Sequence, residues 1–157
     1  MTKQEYMDMY HVVGAAMEVH TILGHGMAEP IYQEALAVEM EKRGMMAERE
    51  KELKLRYKDV VLKKTYFADF YYNGIIVELK SVEEILPLHR AQLFNYMRIT
   101  GTNRGILFNF GEDSLYTERY LYQPQYDEFV MLNHDNYMDY ITPKNNKEKF
   151  VIKIKYN

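Results

Sequence analysis

A two-residue turn between two apolar segments constrains this chain more than any other feature of its sequence. Asn73-Gly74 separates residues 60–72 from residues 75–80, and both flanking segments are rich in aromatic and β-branched side chains. Asn-Gly is typical of a type I′ turn, because both positions tolerate the positive φ angles that this turn requires. The pattern therefore predicts a β-hairpin whose two strands run back from the turn in antiparallel register.

The register set by this turn predicts that charged side chains meet on one face of the hairpin. Counting outward without a bulge, Asp69 lies directly opposite Glu78, and Phe67 lies opposite Lys80. Because side chains alternate between the two faces of a strand, Asp69, Glu78 and Lys80 share a face. The other face is predicted to be plain apolar core, made by Tyr72, Phe70 and Ala68 opposite Ile75, Val77 and Leu79.

The two predicted acids need an explanation, since like charges directly opposed across a sheet are destabilising. A divalent cation would offset the repulsion, because Mg²⁺ and Mn²⁺ prefer carboxylate oxygens and water as ligands. A shared proton, with the pKa of one carboxyl raised, is the alternative. Lys80 lies on the same face, where its amine can deprotonate a metal-bound water, or its ammonium form can orient that water or stabilise charge on a phosphate. Solvated acids of a surface hairpin would show the same spacing, but the apolar strands favour buried acids, and buried acids need a partner.

The remaining periodicities predict an α/β or α+β domain with a mixed sheet. Helical spacing of apolar residues predicts three helices, and alternation predicts further strands beside the hairpin. The helices are 5–23, 29–43 and 88–99, and the strands are 53–57, 105–110, 115–122 and an alternating stretch at 150–156. In the second helix, Ile31, Ala35 and Val38 are interpreted as the inward side. A chain of 157 residues suits one domain, 1–157, in which 122–157 is a C-terminal extension of unassigned role.

Composition excludes several classes of site and partner. The chain has no cysteine, which excludes disulfides, thiolate zinc sites and cysteine nucleophiles. The net charge of -3 gives no overall positive field for nucleic acid, although one stretch concentrates basic residues. These are Lys51, Lys54, Arg56, Lys58, Lys63 and Lys64. The N-terminus lacks the apolar core of a signal peptide and no apolar run approaches the ~20 residues of a membrane span, so a cytoplasmic protein with no membrane partner is expected.

Polar residues on two of the predicted helices are further site candidates. Glu29 begins the second helix, where the helix dipole favours any acid, and Tyr32 is interpreted as a core aromatic residue. Gln92 and Tyr96 stand four residues apart on the third helix and share a face with His89. This face is either the lining of a polar site or simply exposed to solvent.

Four short motifs occur in order along the chain. They are Gly26-Met-Ala-Glu29-Pro-Ile-Tyr32, Asp69 with Glu78-Leu79-Lys80, Gln92-Leu-Phe-Asn-Tyr96 and Gly105-Ile-Leu-Phe-Asn-Phe-Gly111. Arg119 closes this region, which spans roughly residues 10–121. In this order the motifs resemble those of the GxxExxY family of small bacterial and archaeal proteins, which is assigned to the PD-(D/E)XK nuclease-like superfamily. Phe67 departs from the pattern, because an arginine often stands there in the family.

The resemblance implies a restriction-endonuclease-like core with a mixed central sheet flanked by helices. It also implies metal-dependent hydrolysis of phosphodiesters with Mg²⁺ or Mn²⁺ as the cofactor. The implied metal ligands are Glu29, Asp69, Glu78 and the backbone carbonyl of Leu79. The implied catalytic residues are Asp69, Glu78 and Lys80, with Gln92 and Tyr96 beside them.

Three functions are consistent with these residues. The first is a metal-dependent nuclease that acts on DNA or RNA. The second is a catalytically silent module with the nuclease fold, which binds nucleic acid or a protein partner. The third is a metal-dependent hydrolase of another phosphate ester. Nucleic acid is the expected partner of the first, and the intact set of Asp69, Glu78 and Lys80 favours it.

Overall fold

A computed structural model of the chain describes residues 1–142. It contains three α-helices, six β-strands and a short 3₁₀ turn. The helices are α1 (Lys3–Leu23), α2 (Glu29–Lys42) and α3 (Pro87–Thr100), and the 3₁₀ turn is Tyr137–Tyr140. The strands are β1 (Glu48–Tyr57), β2 (Val60–Tyr72), β3 (Ile75–Lys80), β4 (Arg104–Asn109), β5 (Tyr116–Gln123) and β6 (Glu128–Leu132). The alternating stretch predicted at 150–156 lies outside the described residues.

The six strands form one sheet in the order β1-β2-β3-β4-β5-β6. Neighbouring strands are antiparallel except β3 and β4, which are parallel and are joined through α3. A parallel pair needs such a crossover, because a tight turn can only join antiparallel strands. The mixed sheet flanked by helices that the sequence predicted is confirmed.

Helices cover both faces of this sheet. On one face, called the α1–α2 side, Val12 and Leu36 pack in the same apolar cluster as Phe108. On the other face, called the α3 side, Leu93 and Leu107 belong to a second cluster. Because both faces are covered, β3 and β4 read as continuous apolar runs rather than as alternating strands. All six residues of β4 are buried, and each large apolar side chain there contributes about 1.5–3 kcal/mol of burial.

The inward side of α2 differs from the prediction. Ile31 and Val38 are 46% and 48% exposed, whereas Tyr32, Leu36 and Met40 are fully or almost fully buried. The sequence carries two apolar stripes at helical spacing, and tertiary packing selects the one headed by Tyr32. Periodicity locates the helix but cannot choose between adjacent stripes.

The C-terminal extension begins as part of the sheet. Residues 128–132 form β6, which pairs with β5 and buries Phe129, Val130 and Leu132. Only five residues long, this strand gives a weak alternating pattern among tyrosines and acids, which is why the sequence did not reveal it. Across residues 1–142, none of the helices has the length and apolar character that a membrane crossing requires.

Candidate functional site

The predicted hairpin forms at the centre of the sheet. Asn73 and Gly74 take the positive φ angles of 45° and 79° that the tight turn needs. The pairs next to the turn are the predicted ones, from Tyr72 with Ile75 to Phe70 with Val77. The paired register then ends, so the predicted opposition of Asp69 to Glu78 and of Phe67 to Lys80 is not part of the ladder.

Strand β2 is irregular at Asp69 on both of its edges. Toward β1, the paired residues flank Asp69 and its neighbour Glu50 without joining them, and Glu50 has a φ of 50°. Phe70 packs on the α1–α2 side, whereas Ala68 packs on the α3 side. The predicted apolar face is therefore wrong at Ala68, because strict alternation holds only for a regular pleat and β2 changes faces at Asp69.

The side chains of the two acids replace the missing ladder contacts. The Asp69 N–H donates to Glu78 Oε1 at 3.0 Å, and the Leu79 N–H donates to Asp69 Oδ2 at 2.8 Å. From α2, Gln33 Nε2 donates to Asp69 Oδ1 at 2.8 Å, and Arg49 in turn donates to the Gln33 side-chain oxygen. The carboxylates of Asp69 and Glu78 are thus held side by side between two strands that have separated.

Burial makes both acids reluctant to ionise. Glu78 is only 3% exposed, and burial raises its pKa well above the usual value, with the Asp69 charge raising it further. Burial also raises the pKa of Asp69, against the hydrogen bonds from Leu79 and Gln33. A buried and a half-buried carboxyl side by side, both with raised pKa values, are typical of a functional site rather than of a packing core.

Glu29 and Lys80 lie at the edge of this acidic pair. Burial raises the pKa of Glu29, Lys80 lowers it and Asp69 raises it again. The Lys80 ammonium also lowers the pKa of Asp69 and of Glu78, so its charge acts on all three acids. Within residues 1–142 Lys80 forms no ion pair with an acid.

Tyr32 explains how Glu29 reaches this edge. The Tyr32 hydroxyl donates to Gly24 O at 2.7 Å and accepts from the Met27 N–H at 3.1 Å. Ser81 Oγ, next to Lys80, donates to Met27 O at 2.5 Å. The fully buried Tyr32 side chain therefore fixes the loop before Glu29 against the end of β3, and its interpretation as a core aromatic residue is confirmed.

The two polar residues of α3 contact each other beside the acids. Gln92 Nε2 donates to the Tyr96 hydroxyl at 2.9 Å, and Tyr96 is 5% exposed. Burial raises the pKa of Tyr96, Gln92 lowers it, and the Glu78 and Asp69 charges raise it again, which places this hydroxyl near both acids. His89 has a structural contact instead, because its Nδ1 accepts from the Leu86 N–H at the start of α3.

The oxygen atoms of Asp69, Glu78 and Leu79 suit a hard cation in their chemistry, although the side chains are not arranged as a complete coordination site. In the described part of the chain, no three His, Cys, Asp or Glu side chains converge as a metal-binding group. Glu29, Asp69 and Glu78 are thus electrostatic neighbours and do not form the three-acid ligand group. The carbonyl of Leu79 points to the same edge of β3 as its N–H, which bonds Asp69, because both groups of one strand residue face the same side. Two carboxylates and a carbonyl are oxygen donors of the kind that Mg²⁺ and Mn²⁺ accept.

Asn109, which the sequence did not single out, fixes the loop that follows Lys80. Its fully buried side chain contacts both backbone groups of Val82, accepting from the N–H at 3.0 Å and donating to the carbonyl at 2.9 Å. The Gly111 N–H donates to the same Asn109 oxygen. A Cβ on Gly111 would lie 2.1 Å from Val82 O, so this position requires glycine. The only signal in the sequence was the Asn-Phe-Gly that ends an apolar strand.

The sequence analysis also did not identify Glu118 as a buried acid. Glu118 is 1% exposed and accepts two 2.9 Å bonds from Arg90 Nε and one of 2.6 Å from Nη2. The hydroxyls of Tyr116 and Tyr120 donate to the same carboxylate. Burial raises the pKa of Glu118, but these hydrogen bonds outweigh it and leave the pKa below its usual value. Its spacing of two residues from each tyrosine on β5 placed the three on one face.

The mixed sheet with helices on both faces, together with an acid on β2 and Glu-x-Lys on β3, defines a restriction-endonuclease-like fold. A family model described as "PD-(D/E)XK nuclease superfamily" matches residues 7–120. The chain belongs to this superfamily.

Comparison with solved structures gives three matching chains. One, described as "Crystal structure of SSO0001", shares 25% identity with a TM-score of 0.47 and covers 57% of this chain and 48% of that chain. This chain therefore spans about half the length of that protein. Comparison with curated proteins gives no match.

Proposed function

We propose that this chain is a metal-dependent nuclease that hydrolyses phosphodiester bonds in DNA or RNA. The observation that carries the proposal is the buried Glu78 carboxyl beside the half-buried Asp69 carboxyl, both with raised pKa values and with the Lys80 ammonium near them. Two such adjacent acids are costly, and a cation or a proton must compensate them. Membership of a nuclease superfamily favours the cation.

The proposed roles follow from where each group lies. Asp69, Glu78 and the Leu79 carbonyl would hold a Mg²⁺ or Mn²⁺ ion. Glu29, at the start of α2, is not part of a converged ligand group in the described residues and would complete the site once its side chain turned toward the ion. When bound, such an ion neutralises phosphate charge and increases the acidity of water. As a neutral amine, Lys80 would accept a proton from the attacking water; as the ammonium, it would instead stabilise the charge that develops on the phosphate.

The α3 pair has a supporting role in this proposal. The hydrogen bond from Gln92 leaves the Tyr96 hydroxyl free to donate its proton to a phosphate oxygen and to accept from the Lys80 ammonium through its second lone pair. Tyr96 stays neutral near the acids because burial and their charges raise its pKa. The pair therefore positions substrate or lysine without adding charge.

We further propose that the chain is a member of the GxxExxY family within the superfamily. The contacts of Tyr32 with Gly24 and Met27, on either side of Gly26, support this, since they fix the loop in which Gly26 has its positive φ and after which Glu29 begins α2. Tyr32 fixes the loop between α1 and α2, and Glu29 is the first residue of the helix that follows this loop.

Titration calorimetry with Mn²⁺, followed by nuclease assays on DNA and RNA, tests the proposal. We expect wild type to bind Mn²⁺ and to cleave nucleic acid in its presence, and Asp69→Asn/Glu78→Gln to do neither. Lys80→Met should retain Mn²⁺ binding and lose cleavage. The exposed acid Glu84 provides a matched control, since Glu84→Gln removes one charge from the loop after β3 without touching the acids. Equal Mn²⁺ binding by wild type and the double variant, measured with substrate phosphate present, would contradict the assignment.

The silent module remains the second candidate, because the described residues hold no ready group of three metal-ligating side chains. Such a protein binds nucleic acid or a protein partner without hydrolysis. Wild type that binds nucleic acid in Mn²⁺ and leaves it intact over a long incubation would favour this function over the first.

A further inference from the structure

Strands β1 and β2 continue beyond the rest of the sheet as a two-stranded arm, defined here as residues 54–65. Only residues 70–72 of β2 pair with β3, so the arm is held to the sheet through its own base. The arm strands pair with each other from Lys54 with Thr65 to Tyr57 with Val60, next to the turn at Lys58 and Asp59. Residues 56–64 are exposed on both strands. Because this paired ribbon keeps almost all of its side chains exposed, its surface is available to a binding partner.

The arm concentrates positive charge in an acidic protein. It contains five Lys or Arg residues and one Asp, a net charge of +4, whereas the whole chain carries -3, so the other residues carry -7. The five cations are Lys54, Arg56, Lys58, Lys63 and Lys64. None of them forms an ion pair with an acid anywhere in residues 1–142. Unpaired cations on one projecting element are the electrostatic footprint of a polyanion site.

The position of the arm relates it to the acids. Tyr66 stands at its base with its ring centroid 5.4 Å from that of Tyr96, and Asp69 follows on the same strand. From Asp69 to Val60 the chain spans nine residues, or about 30 Å at ~3.3 Å per residue. That reach is close to one turn of duplex DNA, ~34 Å. A duplex with a phosphodiester at the acids can therefore meet the arm up to one turn away.

We propose that the arm binds double-stranded DNA, with its lysines on phosphates and the ribbon along the major groove. The inference rests on the proposed function and narrows its substrate class. The major groove of B-DNA is ~12 Å wide and admits a two-stranded β-ribbon, whereas the major groove of duplex RNA is too narrow. Single-stranded nucleic acid is less well matched, because its sites need a series of aromatic platforms and the arm has one exposed ring, Tyr57.

Fluorescence anisotropy with a labelled ~30-base-pair duplex, in EDTA so that no cleavage occurs, tests the arm. At ~0.1 M salt each lost phosphate contact weakens binding by about tenfold and reduces the salt slope by about 0.9. Lys63→Gln/Lys64→Gln should therefore weaken binding about 50- to 100-fold and lower the slope by about 1.8. The matched control Lys3→Gln/Lys42→Gln makes the same charge change at exposed helix positions and should change binding less than twofold.

Equal weakening by the two double variants, or tighter binding of single-stranded DNA or duplex RNA than of duplex DNA, would overturn the proposal. Both variants should unfold at the wild-type temperature, since the four lysines are exposed. The nuclease proposal has a separate readout, which is cleavage in Mn²⁺. Arm-dependent DNA binding without cleavage rejects the nuclease alone, and cleavage with arm-independent binding rejects the arm alone.

Discussion

The backbone N–H of Asp69 donates a hydrogen bond to the carboxylate of Glu78 at 3.0 Å, although the two residues are not paired in the sheet. A side chain thus takes the position of a strand partner at the centre of the fold. The arrangement interrupts the strand pairing where the acids lie and brings the buried Glu78 next to the half-buried Asp69. It also means that the site lowers the stability of the protein in its cation-free form, which leads to the first prediction.

Glu78→Gln should stabilise the cation-free protein at pH 8 by about 0.5–2 kcal/mol. The pKa of Glu78 is higher in the folded chain than its ordinary 4.5, so the folded state holds the proton more tightly. Stability therefore falls as pH rises from the ordinary value through the folded pKa, and this loss is complete above it. A glutamine keeps the oxygen that accepts from Asp69 and carries no charge to bury.

Thermal unfolding in EDTA between pH 5 and pH 8 measures this effect. The wild-type unfolding temperature should fall across the range more steeply than that of Glu78→Gln, and Mn²⁺ added in place of EDTA should raise it in wild type but not in Glu78→Gln. Glu84→Gln, at an exposed position, should follow wild type in all respects. Parallel pH profiles for wild type and Glu78→Gln would show that Glu78 ionises without a penalty.

Lys80→Met should reduce the rate of cleavage by about 10²–10³-fold while leaving the folded structure intact. Removal of one group that stabilises developing charge has typically this effect on kcat. Lys80 is at the end of β3 and forms no ion pair within residues 1–142, so its loss breaks no direct contact. The loss of its charge should raise the pKa of Asp69 and of Glu78 further. Single-turnover kinetics at saturating Mn²⁺ measure the step. A normal rate of cleavage with a raised KM for nucleic acid would assign Lys80 to substrate binding instead.

Gly111→Ala should destabilise the protein by about 2–4 kcal/mol, because its Cβ would collide with the Val82 backbone that Asn109 fixes. Gly14→Ala is the matched control. Gly14 lies within α1, and its Cβ would meet only a flexible arginine atom at 3.4 Å. There the same change should stabilise the helix by about 0.5–1 kcal/mol. Urea unfolding of both variants measures the sign of each change in the free energy of unfolding. Destabilisation of similar size in both would contradict the close contact between Gly111 and the Val82 backbone.

Arg90→Met should cost about 3–5 kcal/mol, since it leaves the buried Glu118 charge without its cation. Because the folded pKa of Glu118 lies below its ordinary 4.5, the pair stabilises the protein above that value, and the stabilisation is lost as pH falls through the folded pKa. Arg43→Met removes the more exposed ion pair with Glu39 and should cost less than about 1 kcal/mol. Urea unfolding at pH 7 compares them, and equal costs would mean that Glu118 is solvated after all.

The predictable part of this molecule was set by local signals. Asn73-Gly74 fixed the central hairpin, because this dipeptide acts through backbone geometry that neighbouring sequence determines. The hairpin brings Asp69 and Glu78 close together, but through hydrogen bonds between side chain and backbone instead of the predicted register. The prediction that Gln92 and Tyr96 lie beside Asp69 and Glu78 came from the motif resemblance and not from residue spacing.

The unpredicted part depends on contacts between distant segments. The change of face at Asp69 requires Glu50 on the neighbouring strand to adopt a positive φ, and nothing in residues 60–80 encodes that partner. Asn109 and Glu118 become functional parts of the structure only through Val82 and Arg90, each 27 or 28 residues away. Such pairs leave no periodic trace in the sequence, so they are visible only in three dimensions.

Strand β1 forms one edge of the sheet, and seven of its ten residues are charged. An open edge exposes unpaired N–H and C=O groups on which a strand from another molecule can add, and charged side chains there oppose such pairing. The alternating Glu and Lys/Arg residues of β1 thus protect the protein from edge-to-edge aggregation. Strand β2 pairs with β3 only at residues 70–72, so its outer edge is also open along the arm, and Lys63 and Lys64 give that edge the same protection.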